Sequence, residues 1–522
     1  MKRDIQSLKE KEFDVIVIGA GVHGACVARD ASLRGMRVAL IDKGDICGAT
    51  SHNSLKTIHG GIRYLQHLDI ARTWASIREQ RYWLKTAPRR VKPLPFLMPT
   101  YGHGMRGPLA MLAGIMLYAL LGIGRNIGLA SKSKIRMGRI ISAKQCQTLV
   151  NDVPSKNLSG AAVWDDAQVE DADQTVLEIT EHASQHGAVI ANYVAATDFI
   201  IDQQKVSGIR ATNQLNGDTF EIKGHCVVNA TGPWIAQQLQ SSSLSKQIEM
   251  DVPLVKSMNI VTKTKTNDHA VSFYSRHDSD SMLGNTKRLY FSVPWKDYSV
   301  FGTTHLIHSK DQLDINTEAT EIQSFLDEIN QAHPSSRLGL DDVLYCYQGL
   351  TPADAGEQNE AANRLHDSKV IDHRKHDNVD GMVSIVSIKW TTARRVAEQC
   401  TNILASKLNI KKKCLTRDTQ IPCFDYDRTL CNLVDKELKQ QCLTHIERSM
   451  PLNLCDFLLR RTDDFITNKL SAQQLATIID TFAKYFEWSR ERQREEISTL
   501  QNTFMSPAAS DMLNKIYESL ND

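Results

Sequence analysis

Hydrophobic and polar positions change period several times along the chain. FDVIVIGA (13–20) is an almost unbroken β-branched run, the pattern of a strand buried on both faces, and it stops at the glycine-rich GAGVHG. An alanine-rich stretch fit for a helix follows, ACVARDASLRG, and then a second apolar run, MRVALID (36–42), that ends in an acid. Strand, glycine turn, helix and strand in such a short span predict the βαβ unit of a doubly wound sheet. DADQTVLEITEHASQHG then predicts a helix, AVIANYVAATDFIID strands, and CVVNATGPW (226–234) an apolar strand running into a Gly-Pro turn. From about Pro253 to Gly302 short alternating runs take over, including RLYFSVPW and YSVFGTT, and predict an antiparallel sheet. MVSIVSIKWTTARRVAEQCTNIL (382–404) reads as strand, turn and helix and returns to the first unit. From about Cys431 the pattern is helical, with no glycine after Gly381, which predicts a separate helical cap.

Composition narrows this picture. A chain of 522 residues is too long for one core and predicts two or three domains. Sixty-two basic against sixty acidic side chains give a net charge of +2, with no electrostatic footprint for nucleic acid. The eleven cysteines form no C-x-x-C pair and no metal-ligand spacing, so they read as thiols of a reducing cytoplasm. The amino-terminal MKRDIQSLKEKEF lacks the apolar segment of an export signal. One stretch disturbs the soluble reading. GPLAMLAGIMLYALLGIG (107–124) carries no charge and is bracketed by Arg106 and Arg125. It fits a buried core helix, a helix lying in one leaflet, or, against its four glycines and proline, a membrane span.

Gly19, Gly21 and Gly24 form G-x-G-x-x-G between a strand and a helix. The first glycine makes the turn, the second lets a diphosphate reach backbone N–H groups, and the third lets helix and strand pack closely. Asp42, at the end of the second strand, is placed to accept hydrogen bonds from a ribose; otherwise it is a strand-end turn acid. Whether the dinucleotide is NAD or FAD is not decided by this unit. Asn229-Ala230-Thr231-Gly232-Pro233-Trp234, a small-residue turn ending another strand, points to a flavin.

GAGVHGACVARDASLRG, ATSHNSLKTIHGGIRYLQH, VNATGPW, RLYFSVPWKDYSVFGTT, IKWTTARRVAE and, in the tail, DFLLRRT (456–462) together resemble the FAD-dependent glycerol-3-phosphate dehydrogenases, within the wider D-amino-acid-oxidase-like flavoproteins. The resemblance implies an α/β fold: a Rossmann-like FAD-binding domain (1–90, 153–250 and 376–410) interleaved with an antiparallel-sheet substrate domain (91–152, 251–375), plus an all-α C-terminal domain (411–522). It implies FAD contacts at Lys43, Thr50, Ser51, Ser54, Lys56, His59, Gly60 and Gly61, and at Val194, Ala230, Thr231, Gly232, Lys389, Trp390 and Thr391. It also implies a position on the inner face of the cytoplasmic membrane, contact there through 107–124, and electron transfer to quinone or another acceptor; a homodimer is compatible with it. In the same frame Arg63 and Tyr64 become an anion clamp, because a guanidinium fork suits phosphate or carboxylate and a phenol can donate beside it. Without the motif they would read as a surface ion pair and a packed aromatic. Lys389 becomes the ammonium that stabilises charge on the substrate oxygen or the reduced flavin, and Arg364, in ANRLHDSK, a further substrate-side cation.

Three positions depart from the family pattern. Thr351, in Tyr347-Gln348-Gly349-Leu350-Thr351-Pro352, stands where the family has an arginine, which removes a charge-assisted contact worth roughly 1.5–3 kcal/mol. Asn259 stands where the family has a histidine, and an amide cannot take up a proton at neutral pH. Ser387-Ile388 replaces a glycine pair. His59 and His305 are then the candidate bases. The expectation is oxidation of a small hydroxy compound, glycerol 3-phosphate or a close analogue, to a ketone by hydride transfer to flavin N5. Alternatives are an amine or amino-acid oxidase of the same class, and a non-catalytic membrane-bound flavoprotein.

Overall fold

The structure is a computed structural model of the chain and describes residues 1–102, 107–150, 153–263, 265–275, 289–308, 315, 317–353, 367–424, 428–503 and 505–520. Its centre is the predicted parallel sheet. The β-branched run forms the strand Glu12–Ile18, flanked in parallel by Val38–Ile41 on one side and Thr219–Asn229 on the other. Val189–Ala191 and Met382–Val386 extend the row, also in parallel. Lys369–Asp372 closes one edge antiparallel, and Val194–Asp202 with Lys205–Asn213 adds an antiparallel meander to Thr219–Asn229. The alanine-rich helix Val22–Leu33 is buried along its whole length. Small side chains at Ala25, Ala28 and Ala31 let the helices Ala172–Gln185 and Ala393–Lys407 pack against it over the sheet.

A second sheet runs in the order Val343–Pro352, Leu254–Thr262, Tyr298–Ile307, Leu289–Trp295, Ala270–Tyr274, Val91–Tyr101, Leu158–Val169 and Thr57–Ile58, with Arg139–Ser142 also paired to Leu158–Val169. All its pairs are antiparallel except Ala270–Tyr274 against Val91–Tyr101. The strand Val91–Tyr101 carries Pro93, Pro95 and Pro99, which argue against a strand in sequence reading. It tolerates them because its second neighbour pairs only at Phe96 and Leu97, so most of that edge asks for no N–H donor. Helix Ala319–Ala332 covers one face of this sheet through Ile322 and Phe325 against Met258, Ile260 and Phe301. The chain thus alternates between two sheets before it enters the tail, where Asp435–Ser449, Leu454–Arg460, Ala472–Tyr485, Arg490–Gln501 and Pro507–Ser519 are helical. The tail is stapled to the parallel sheet by buried charge. Asp45 receives Arg460 at 2.6 Å and both terminal nitrogens of Arg461 at 2.8 and 2.7 Å. All eleven cysteines are free thiols.

The uncharged stretch forms the helix Pro108–Leu121, but it is not a core helix. Only Ile115 and Tyr118 are buried, while Leu109, Met116 and Leu120 are 83%, 59% and 62% exposed. It packs on the 3-10 turn Ile62–His67 and the helix Ile70–Thr86, whose flanking Leu68 and whose Trp74 are exposed too. Among the described residues no helix is long and apolar enough to cross a membrane.

Candidate functional site

The glycine turn behaves as its sequence requires. Gly19 sits at φ +103°, and a Cβ there would lie 2.5 Å from the Ala230 carbonyl oxygen. A Cβ on Gly24 would lie 1.8 Å from the Gly19 carbonyl oxygen, so the helix meets the turn this closely only because residue 24 is glycine. At Gly21 the nearest group is the Ser51 hydroxyl, which also accepts from the Val22 N–H at 3.0 Å. Asp42 accepts from the N–H groups of Ala20 and Gly44 at 2.6 and 2.9 Å, and burial raises its carboxyl above the usual range. The Val194 N–H donates to the Asp42 carbonyl at 2.7 Å, which brings that predicted residue into the same corner. The Lys43 ammonium lies 4.1 Å from the centre of the Trp234 ring, and Thr231 donates to Asn229 Oδ1 through both its N–H (3.3 Å) and its hydroxyl (2.6 Å). This corner lies at the carboxyl ends of adjacent parallel strands, with a helix N-terminus and a carboxylate facing a glycine cradle. Those groups fit the diphosphate and ribose of a dinucleotide.

The loop from Thr50 to Tyr64 leads from that corner across the second sheet. The Thr50 hydroxyl donates to the Leu350 carbonyl at 2.8 Å. The Lys56 N–H donates to the Ser54 hydroxyl, and the buried Lys56 ammonium lies 4.5 Å from the Tyr347 ring centre and 5.0 Å from that of Trp295. Next to it the buried His52 Nδ1 bonds Asp173 at 2.8 Å, a pair the sequence reading missed. His59 has both ring nitrogens committed, Nε2 to the Thr57 hydroxyl at 2.8 Å and Nδ1 to Asp166 at 3.1 Å. Asp166 also accepts from the Gly60 N–H at 2.7 Å and from Gln80 at 2.9 Å. Burial alone would raise its carboxyl, but His59 and these donors outweigh it and hold the group below the usual carboxylate range.

The glycine pair beside them makes room for aromatics. A Cβ on Gly60 would lie 1.7 Å from the Tyr118 hydroxyl, and Gly61, at φ +88°, leaves the space taken by the Tyr64 ring. That ring has the Arg72 guanidinium 4.0 Å and the Lys389 ammonium 4.4 Å from its centre. Lys389 reaches it from the turn between Met382–Val386 and Ala393–Lys407, which is fixed by the Trp83 indole N–H on the Thr391 carbonyl at 2.8 Å and by Trp390 4.9 Å from Trp83. Arg63 is exposed on the neighbouring 3-10 turn. Tyr64 and Lys389, far apart in sequence, are therefore neighbours, with Arg63 and His59 on the same short loop. Arg364 lies outside the described residues.

The remaining candidates lie on the face of the second sheet that meets this loop. Gly349 lies against Thr50 and Gly302 against Leu55. Strand pairing puts Ser257 opposite both His305 and Gly349, so their side chains share that face. The Ser257 hydroxyl lies 2.8 Å from His305 Nδ1 and 3.3 Å from the Thr351 hydroxyl. Asn259 is buried, and its Oδ1 accepts from the Thr303 hydroxyl at 2.7 Å. Ser257 was not among the sequence candidates; its period-two spacing from Asn259 was the available signal.

Comparison with known proteins agrees with this fold. The profile of the DAO family, FAD dependent oxidoreductase, matches residues 14–379. A glycerol-3-phosphate dehydrogenase of Synechocystis sp. is 27% identical over 95% of this chain and 97% of its own length. One of Mycobacterium leprae is 32% identical over 74% of this chain, which spans 62% of that relative. The structure of the Bacillus halodurans glycerol-3-phosphate dehydrogenase complexed with FAD superposes with a TM-score of 0.71 at 21% identity, covering 99% of this chain and 96% of the other. With a glycine cradle that any Cβ would fill and a family profile over most of its length, the chain belongs to the FAD-dependent oxidoreductases of the DAO family.

Proposed function

We propose that this enzyme oxidises glycerol 3-phosphate, or a close phosphorylated hydroxy analogue, to the corresponding ketone, dihydroxyacetone phosphate for the parent substrate, and delivers the electrons to quinone. The observation that carries the reading is the Tyr64 ring with both Lys389 and Arg72 over it, beside the exposed Arg63. So much cationic charge around one phenol suits a phosphate dianion and an alkoxide forming next to it. The names of the relatives support the substrate.

Each side chain has a distinct task. Arg63 forks onto the phosphate and Tyr64 donates beside it. Lys389 holds the charge that develops on the substrate oxygen as its proton leaves. His59 positions the loop, since Asp166 and Thr57 engage both its nitrogens. The proton goes to the His305 imidazole, which Ser257 orients through Nδ1. Thr351 and Asn259 contribute neutral walls. Bound FAD, held by the glycine turn and Asp42, supplies the acceptor for the hydride. The exposed face of Pro108–Leu121 lies in the lipid interface on the cytoplasmic side, where a quinone is met.

The test is steady-state oxidation of glycerol 3-phosphate by the FAD-loaded protein with a short-chain quinone as acceptor. Dihydroxyacetone phosphate formed mole for mole with reduced quinone supports the reading. Turnover confined to amino acids or amines overturns it.

A further inference from the structure

A second concentration of positive charge lies away from the Tyr64–Lys389 pair. A cleft of about 1010 Å³ opens between the start of Val91–Tyr101, the turn Ser131–Ser133 and the helix Asp435–Ser449. Arg89, Arg90 and Lys92 line one side and Lys132, Lys134 and Arg136 another, and among the described residues Asp165 is the one carboxylate in the lining. Successive residues of a strand face opposite ways. Asp166 therefore turns to His59 and Gly60, while Asp165 turns into the cleft, where it takes Arg136 in a fork at 2.8 and 2.9 Å.

Acids among the described residues engage Arg90, Lys92 and Arg136. Arg90 pairs with Glu178 at 2.7 Å and Lys92 with Glu170 at 2.9 Å. Lys132 and Lys134 are exposed and have no ion pair with a described residue. Cations gathered in a concave site repel one another and raise the local concentration of anions. Guanidinium forks alternating with lysine point charges suit phosphoryl oxygens, and the volume exceeds the needs of one inorganic phosphate.

We propose that this cleft is a second anion site, distinct from the reacting site, that binds a ligand carrying phosphoryl groups with at least two negative charges. Two sources share that chemistry: a soluble compound with linked phosphoryl groups, and the headgroups of an acidic membrane. The second source has a structural reason, because Ile127 and Met137, exposed by 69% and 68%, bracket in sequence the segment that carries Lys132, Lys134 and Arg136.

The test compares the FAD-loaded wild type with a Lys132→Ser/Lys134→Ser variant, by calorimetric titration with pyrophosphate and by flotation with phosphatidylglycerol vesicles. Both lysines are exposed and serve no catalytic role, so FAD content and turnover stay unchanged. Loss of two charged contacts weakens binding about tenfold or more, and Lys132→Arg/Lys134→Arg restores it. Weakening seen with pyrophosphate identifies a soluble ligand; weakening seen with vesicles alone identifies a headgroup. A pyrophosphate component that both variants share belongs to the Arg63 site and does not count. The proposal is overturned if the serine variant binds both probes as tightly as the wild type, or if the wild type binds neither.

Discussion

At the scale of single residues, the chemistry depends on side chains whose neighbours come from distant parts of the chain. Gly19, Gly24 and Asp42 were legible because a turn with positive φ, a close helix–strand approach and a strand-end acid leave a local trace. Lys389 and Tyr64 were legible only through resemblance, since nothing in IKWTT by itself says that an ammonium will stand over a phenol ring. Asp166 and Tyr118 left no local trace, and Ser257 only its period-two spacing from Asn259: their importance comes from what they touch across the sheet. Another such residue is His23, within the glycine motif. It is buried in the first turn of Val22–Leu33, and burial pushes its imidazole down to about 4. The folded protein keeps this ring neutral while the unfolded chain takes up a proton below about pH 6.5. Its effect on stability is therefore absent above that pH and grows as pH falls toward 4, to a loss of about 3 kcal/mol. Denaturant unfolding at a series of pH values checks this: a folded His23→Asn variant loses less stability between pH 6.5 and 4 than the wild type does.

At the scale of elements, the strand–glycine–helix–strand start, the return at 382–404 and the helical tail follow directly from apolar period and glycine placement. The strand Val91–Tyr101 escaped because its prolines contradict strand propensity until its partly unpaired edge is known. Tail docking was equally hidden. DFLLRRT marks a conspicuous sequence, but only the fold shows that Arg460 and Arg461 close on Asp45, just beyond the second strand. Burial would raise the Asp45 carboxyl, yet Arg461 and Arg460 outweigh it and hold the group below the usual range. Asp45→Asn keeps the shape but removes the carboxylate that Arg461 engages and leaves Arg460 on Asp456, and we expect a loss of about 3–5 kcal/mol. Calorimetric or denaturant unfolding would show it, and an unchanged midpoint would mean that the staple does not hold the tail.

At the scale of the whole molecule, two sheets built from interleaved segments place the glycine cradle and the Tyr64–Lys389 pair on one continuous path, the loop 50–64. The helix Pro108–Leu121 lies outside both sheets, with Leu109, Leu112, Met116 and Leu120 uncovered. Its composition was obvious in the sequence and its placement was not, because an uncharged run of that length fits a core or an interface equally well, with its glycines and proline speaking against a span. If this face sits in lipid, Met116→Glu/Leu120→Glu reduces co-sedimentation with vesicles several-fold and leaves turnover with a water-soluble acceptor intact. Equal sedimentation would assign the face another role.

The most direct test joins cofactor, substrate and the central pair in one reading: the flavin absorbance of FAD-loaded protein mixed with glycerol 3-phosphate in the absence of oxygen. Rapid bleaching in the wild type, slowed about 10²-fold or more in Lys389→Met, is the result we predict. Absorbance that glycerol 3-phosphate leaves unchanged, or bleaching that is as fast without the Lys389 ammonium, would contradict it.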